Sequence, residues 1–181
     1  MSIRGEGPVR IGVSSCLLGH EVRYDGGHKR SRFVADVLAA HFELVAVCPE
    51  VEAGLGLPRP AMRLVQEGDL VRVREVESGR DHTRALESHA KRRVAELRCM
   101  DLCGYVLKSG SPSCGMERVK VHRENGTVTQ DGRGVFAAVL RAALPLLPVE
   151  EEVRLDDTSL RERFIERVFA YRRLRDPSGA L

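Results

Sequence analysis

The sequence has few aromatic residues and no long apolar run. None of its 181 residues is Trp, and aromatic residues make up only 4% of the chain. The longest apolar stretch, residues 135–144, is interrupted by Arg141, which argues against a membrane span of about 20 apolar residues. The N-terminal MSIRGEGPVR lacks the apolar centre of a signal peptide, so we expect neither secretion nor a membrane partner. The hydrophobic share of 43% favours one folded domain with its own core.

Motifs of several common enzyme classes are also missing. The chain contains no GxGxxG, no Walker-type phosphate loop, no GxSxG and no HExxH, so dinucleotide binding and these hydrolase mechanisms are unsupported. Lys and Arg number 29 against 26 Asp and Glu, and the basic residues form no stripe interleaved with aromatics. We therefore expect no dedicated nucleic-acid partner.

Five cysteines are present, an odd number in a chain without signs of secretion. This argues against a disulfide scaffold and favours a reducing compartment, so we expect a cytoplasmic protein. In such a compartment, cysteines more often bind metal or take part in chemistry.

Short apolar runs alternate with helical patterns along the chain. Strands are expected at residues 10–15, 43–47 and 105–109, and a β-hairpin around residues 67–69. This alternation predicts an α/β fold with a mostly parallel, Rossmann-like sheet and helices on both faces, completed by a C-terminal helix.

Three of the helices can be located by their apolar spacing. One begins near Asp81 and runs toward Cys103, and a second spans about residues 134–144. Ser159 and Glu162 form a capping box that announces the last helix. We divide the chain into an α/β domain over residues 1–148, and a connector and C-terminal helix over residues 149–181.

Three cysteines each follow a predicted strand. Cys16, Cys48 and Cys114 lie in three separate loops of the βα type. Since ligand sites in such folds lie beyond the carboxyl ends of the strands, neighbouring strands would bring these thiols to one edge of the sheet. Each could instead be a small buried hydrophobic residue, but their Gly, Pro and Ser neighbours favour the first interpretation.

Converging thiolates repel one another unless a cation joins them. A metal removes this cost and deprotonates the thiols, and three ligands leave a coordination position open for substrate. A set of cysteines alone suits zinc, Cu(I) or an iron–sulfur cluster. Cys99 and Cys103 could share a helix face and bind metal, although packing in the core is the favoured role for both.

Candidate acid–base groups lie beside the cysteines. Glu50 follows Cys48 by two residues and could activate water or move a proton. Ser111 and Ser113 precede Cys114, where their hydroxyls could bind a substrate or serve only to shape the turn. A solvated loop carboxylate remains the alternative for Glu50.

Three blocks of the sequence, SSCLLGHEVRYDGG, VCPEVEAGLGLPRP and LKSGSPSCG, resemble a bacterial family of domains of unknown function whose characterised members are the thiouracil desulfidases. The resemblance extends from about residue 11 to residue 144. It implies a [4Fe–4S] enzyme that replaces the sulfur of a thiolated pyrimidine with oxygen without net redox chemistry. The partner of the protein would be a small thiolated base.

The resemblance also implies roles for the residues in the three blocks. Cys16, Cys48 and Cys114 would hold the [4Fe–4S] cluster, Glu50 would be the general base for water, and Ser111 would donate a proton or a hydrogen bond to the substrate. Two other functions stay open. One is a non-catalytic metal- or cluster-binding module for redox sensing or RNA docking, and the other is a zinc hydrolase that uses the same cysteines.

Overall fold

Four parallel strands form the sheet that carries the site in the computed structural model, which describes residues 7–175. In chain order they are β1 (Arg10–Ser14), β2 (Glu43–Val47), β5 (Leu102–Leu107) and β8 (Val149–Glu151). Their order in the sheet is β2-β1-β5-β8, and every neighbouring pair is parallel. All six residues of β5 are buried, as expected for a central strand covered on both faces.

The predicted hairpin belongs to a second, mixed sheet. Strands β3 (Met62–Glu67) and β4 (Leu70–Glu75) form one antiparallel hairpin, and β6 (Val119–His122) and β7 (Val128–Gly132) form another. Strands β3 and β6 pair in parallel and join the two hairpins in the order β4-β3-β6-β7. The predicted α/β fold with a parallel sheet is therefore confirmed. The two hairpins form a second sheet, which the sequence pattern does not distinguish from the first.

Helices cover both faces of the parallel sheet. The segment Phe33–Leu38 is π-helical and continues as an α-helix over Ala39–His41, and the two together are α1; the other helices are α2 (Pro49–Glu52), α3 (Thr83–Cys99), α4 (Val135–Ala143) and α5 (Thr158–Arg175). Helices α1 and α5 pack with β1 in one apolar cluster, whereas α3 and α4 pack with β5 in a second. No helix within residues 7–175 is both long and apolar enough to cross a membrane.

Helix α3 ends earlier than the sequence predicts. It stops at Cys99, and Asp101 then takes up a left-handed backbone conformation with φ of 54° that turns the chain into β5. Cys103 consequently lies in a strand, and the prediction that Cys99 and Cys103 share a helix face is wrong. Cys103 is buried, as predicted, but Cys99 is exposed.

The segment that follows residue 148 contributes to the sheet. Val149, Glu150 and Glu151 form β8 and are all buried, although residues 149–151 are predicted as part of a connector. Two of these three residues are glutamates, which are depleted in strands, so the pattern carries little strand signal. The division of the chain at residue 148 stays a prediction.

The cap of α5 also differs from the prediction. The helix begins at Thr158, and the side chain of Asp157 accepts a hydrogen bond from the amide of Leu160 at 3.0 Å. Asp157 therefore takes the place predicted for Ser159, because a carboxylate directly before the helix satisfies a free amide of the first turn.

Candidate active site

A cavity of about 320 Å³ opens at the carboxyl edge of the parallel sheet. Cys16, Cys48 and Cys114 all lie in its wall, together with Glu50 and Ser111. The register aligns the ends of β1 and β2, since Ser14 pairs with Val47, and the loop after β5 completes the wall. The structure thus brings together the three cysteines that the sequence predicts to converge. The other two predicted site residues, Glu50 and Ser111, lie in the same cavity wall.

Cys16 lies in a tight turn directly after β1. Residues Ser15–Leu18 form one turn of 3₁₀-helix, which ends at Gly19 with a φ of 94° that favours glycine. The carbonyl of Cys16 accepts a hydrogen bond from the amide of Lys29 at 3.0 Å, which ties the following loop back to the turn. Burial raises the pKa of the Cys16 thiol to about 11, against the opposing charge of Lys108.

Cys48 precedes the short helix α2, whose first residue is Pro49. The backbone amide of Cys48 donates to the carboxylate of Glu52 at 3.1 Å, and its thiol lies 3.8 Å from the carbonyl oxygen of Val22. Burial raises the pKa of this thiol, while the backbone amide of Val51 lowers it. A metal would reverse the effect of burial by stabilising the thiolate.

The loop before Cys114 rests on the N-terminus of α4. The carbonyl of Pro112 accepts from the amide of Val135 at 3.1 Å, and the carbonyl of Ser113 accepts from the amide of Phe136 at 2.9 Å. A Cβ atom on Gly134 would lie 2.5 Å from the carbonyl carbon of Ser113, so only glycine permits this approach. Burial raises the pKa of the Cys114 thiol well above its usual value, and the hydroxyl of Ser14 opposes that rise.

The three thiols act electrostatically on one another. A charge on Cys48 raises the pKa of both Cys16 and Cys114, and a charge on Cys16 also raises that of Cys114. Within residues 7–175, however, no three side chains of His, Cys, Asp or Glu are arranged to bind one common metal ion. In a [4Fe–4S] cluster each cysteine binds a different iron, so the ligands lie around a larger group than a single ion. Three cysteine thiols in the wall of one cavity are a donor set that fits such a cluster.

Both carboxylate oxygens of Glu50 are engaged at the cavity wall. Oε1 accepts a hydrogen bond from the hydroxyl of Ser113 at 2.8 Å, and Oε2 accepts one from Nε of Arg59 at 2.8 Å. The side chain of Glu50 is only 13% exposed. Glu50 is thus a carboxylate that two donors hold and that is largely shielded from solvent, and the alternative of a solvated loop carboxylate is wrong.

Arg59 is one residue of the site that the sequence pattern does not predict. Besides Glu50, its guanidinium donates to the carbonyl oxygens of Val22 at 3.0 Å and Gly56 at 3.2 Å, and its own amide donates to the carbonyl of Tyr24 at 3.0 Å. Its side chain is 3% exposed. An arginine within the Gly- and Pro-rich segment after Glu50 is the signal that could have found it, because a buried arginine needs a carboxylate partner.

The two serines before Cys114 have different contacts. Ser113 is fully buried, and its hydroxyl donates to Glu50. The hydroxyl oxygen of Ser111 accepts from the amides of Ser113 at 3.1 Å and Cys114 at 3.0 Å, so it shapes the turn. These two bonds occupy its acceptor positions, which leaves its hydrogen free to donate at the cavity wall.

A second charged group borders the cavity near Cys16. Lys108 lies in the wall, and its ammonium donates to the carboxylate of Glu152 and to the carbonyl of Ser109 at 2.8 Å. Glu152 also accepts from the amide of Ser109 at 2.7 Å. Lys108 and Glu152 together anchor the start of the loop that carries Cys114.

Comparison with known proteins identifies the family. The sequence profile described as 2-thiouracil desulfurase matches residues 11–152, which include all three cysteine loops. The chain belongs to this family. The uncharacterized protein YbbK of Bacillus subtilis (strain 168) is 34% identical over 139 residues, an alignment that covers 72% of this chain and 89% of that protein.

A solved structure of a desulfidase shares the fold of this family member. The [4Fe–4S]-dependent thiouracil desulfidase TudS superposes with a TM-score of 0.69 at 35% sequence identity. The match covers 86% of this chain and 98% of the other. The resemblance read from the three sequence blocks is therefore confirmed at the level of family and fold.

Proposed function

We propose that this protein is a [4Fe–4S]-dependent desulfidase that acts on a thiolated pyrimidine of the 2-thiouracil type or a related thio-compound. The reaction replaces a carbon–sulfur bond by a carbon–oxygen bond with oxygen from water, and releases hydrosulfide without net redox chemistry. The observation that carries the proposal is the joint placement of Cys16, Cys48 and Cys114 in one cavity of a chain that belongs to the 2-thiouracil desulfurase family.

Cys16, Cys48 and Cys114 would hold the cluster. A cluster bound by three cysteines supplies one iron without a protein ligand, a Lewis acid suited to sulfur. Burial raises the pKa of all three thiols, which disfavours the thiolate form in the absence of a bound cation. A bound cation would stabilise the thiolates and offset this effect of burial.

Glu50 would accept a proton from water at the cavity wall. Its carboxylate has about four acceptor positions, of which the hydrogen bonds from Arg59 and Ser113 leave room for a water molecule. Those two donors fix the orientation of the carboxylate, so that the water attacks the carbon bearing sulfur from a defined direction. General-base catalysis of this kind contributes about 10²–10⁴-fold to a rate.

Ser111 would donate a hydrogen bond from its hydroxyl to the substrate. Its oxygen is held by the amides of Ser113 and Cys114, so the direction of the remaining hydrogen is restricted. A hydrogen bond to a ring nitrogen or to the departing sulfur would balance the negative charge that develops as water adds.

Anaerobic reconstitution followed by iron and sulfide analysis tests the cluster. The wild-type protein should contain about four iron and four sulfide per chain. Serine variants of Cys16, Cys48 and Cys114 should lose the cluster, while Cys99→Ser, which changes an exposed residue at the end of α3, should retain it. Zinc at one equivalent without sulfide would overturn the proposal.

Turnover tests the carboxylate separately from the cluster. Sulfide release and uracil formation from 2-thiouracil are followed for the wild type and for Glu50→Gln. The variant should keep the cluster absorbance and lose turnover by about 10²-fold or more. Full activity of the variant would remove Glu50 from the mechanism.

A further inference from the structure

A group of polar side chains lies behind Cys48, between α2 and α3. Oε2 of Glu52, the last residue of α2, lies 3.1 Å from Nε2 of His89 and 3.2 Å from Nε of Arg93, both on α3. Burial raises the pKa of the Tyr105 phenol on β5, and the charge of Glu52 raises it further while that of Arg93 lowers it. We refer to these four residues as the Glu52 cluster.

Two of the four residues of the Glu52 cluster are buried, while the side chains of Glu52 and Arg93 are 29% and 17% exposed. His89 is 8% exposed, and Tyr105 is fully buried. Among residues 7–175, Nε of Arg93 and the hydroxyl of Tyr105 find no hydrogen-bond partner, because Nε of Arg93 is close to Glu52 without being aligned for a hydrogen bond. Buried donors without partners cost free energy.

The Glu52 cluster contacts the backbone of one candidate cluster ligand. Oε1 of Glu52 accepts the amide hydrogen of Cys48 at 3.1 Å, and the amide of Glu52 donates to the carbonyl of Cys48 at 2.9 Å. Both peptide groups of Cys48 are therefore tied to Glu52. The second bond is the first main-chain hydrogen bond of α2, whereas the side chain of Glu52 links the Cys48 amide to His89 and Arg93 on the 17-residue helix α3.

We propose that Glu52 is a positioning residue: it fixes the backbone of Cys48 against α3 and thereby holds the Cys48 sulfur where it binds the iron–sulfur cluster. The inference rests on the proposed function, since it requires Cys48 to be a ligand. Partners one step removed from a metal ligand orient that ligand, and their loss weakens metal binding.

The test compares two His–Glu pairs of the cluster-loaded protein, each with a buried histidine. His89 contacts Glu52 behind Cys48, while His82, also 8% exposed, contacts Glu75 at 2.6 Å beside the mixed sheet. The variants are Glu52→Ala, Glu52→Gln, His89→Phe and, as a matched control, His82→Phe. For each we measure the rate of cluster loss to an iron chelator without oxygen, and the unfolding midpoint of the cluster-free protein.

Glu52→Ala should lose its cluster about 10- to 100-fold faster than the wild type. Glu52→Gln should stay close to the wild-type rate, because its amide oxygen still accepts the hydrogen of the Cys48 amide. His89→Phe should lose the cluster faster than the control His82→Phe, even where the two unfold at the same midpoint. A purely structural role would instead make cluster loss follow the unfolding midpoint in all variants.

Two results overturn the inference. One is a wild-type rate of cluster loss in Glu52→Ala. If that variant does not fold, His89→Phe is compared with His82→Phe instead. Equal rates of cluster loss in these two variants then overturn the inference. The other is a wild-type protein that takes up no iron and sulfide, which overturns the proposed function together with this inference. A normal wild-type cluster that is indifferent to Glu52 and His89 overturns the inference alone.

Discussion

Replacement of Arg59 by Met tests how the site holds its carboxylate. Arg59 and Glu50 form a buried ion pair, with side chains 3% and 13% exposed. At the 2.8 Å between Nε and Oε2, two unit charges in an effective dielectric near 20 attract by about 6 kcal/mol, before the cost of removing them from water. Met leaves the carboxylate buried with Ser113 as its remaining partner. The variant therefore loses more free energy of unfolding than the intact ion pair contributes after its desolvation cost.

We expect Arg59→Met to lower the free energy of unfolding by about 4 kcal/mol, the middle of the range for breaking a buried pair by removal of one partner. For a chain of this size that corresponds to a fall in the unfolding midpoint of about 8–16 °C. The carbonyl oxygens of Val22 and Gly56 also lose their donor. Thermal and urea unfolding of the cluster-free protein, followed by circular dichroism, measures the loss.

A double-mutant cycle separates the pair from the other contacts of Arg59. Glu50→Gln removes the charge, so the double variant should be more stable than the sum of the two single losses predicts, by at least about 1 kcal/mol. The exposed pair Arg10–Glu43 has a similar separation of 2.9 Å, and Arg10→Met should cost less than about 1 kcal/mol. Additive losses, or equal losses at the two arginines, would refute the assignment of Arg59 as the partner that holds Glu50.

Two further predictions concern the loop that carries Cys114. Gly134→Ala should lower the free energy of unfolding by about 1–3 kcal/mol, because its Cβ atom would lie 2.5 Å from the loop backbone. The control is Gly7→Ala, where the new Cβ atom has open space around it. Equal stabilities of the two variants would contradict the steric argument. Glu152→Ala should speed hydrogen exchange at the amide of Ser109 by about tenfold or more, since it removes the acceptor of that amide. An unchanged exchange rate measured by NMR would show that the loop is held by other contacts.

The convergence of the cysteines could be predicted because it depends on strand order alone. Cys16 and Cys48 each follow a strand within two residues, and parallel pairing of β1 with β2 and β5 brings the strand ends together. Apolar periodicity identifies such strands without knowledge of the contacts. The local motifs Cys-Pro-Glu and Ser-Pro-Ser-Cys then place Glu50 and Ser111 at the cavity wall.

The partners of these residues could not be predicted in the same way. Arg59 reaches Glu50 across nine residues, through an irregular segment whose path no periodicity encodes. Glu152 reaches Ser109 from 43 residues away, across the pairing of β5 with β8. Charge patterns indicate solvated faces in most sequences, so a buried glutamate can be recognised only once its donor is known.

The site also depends on two residues that follow the cysteine blocks in the sequence, Glu151 and Glu152. Glu151, in β8, accepts the amide hydrogen of Met116 at 2.8 Å, and Glu152 holds Ser109, so the loop carrying Cys114 is fixed before and after its cysteine by adjacent carboxylates. Glu151 is 6% exposed, and burial raises the pKa of its carboxyl, so it occupies this position at a cost in desolvation. Because both glutamates lie beyond residue 148, a domain that stops there would keep all three cysteines and lose the groups that hold one of them. The segment that the sequence presents as a connector therefore belongs physically to the support of the site.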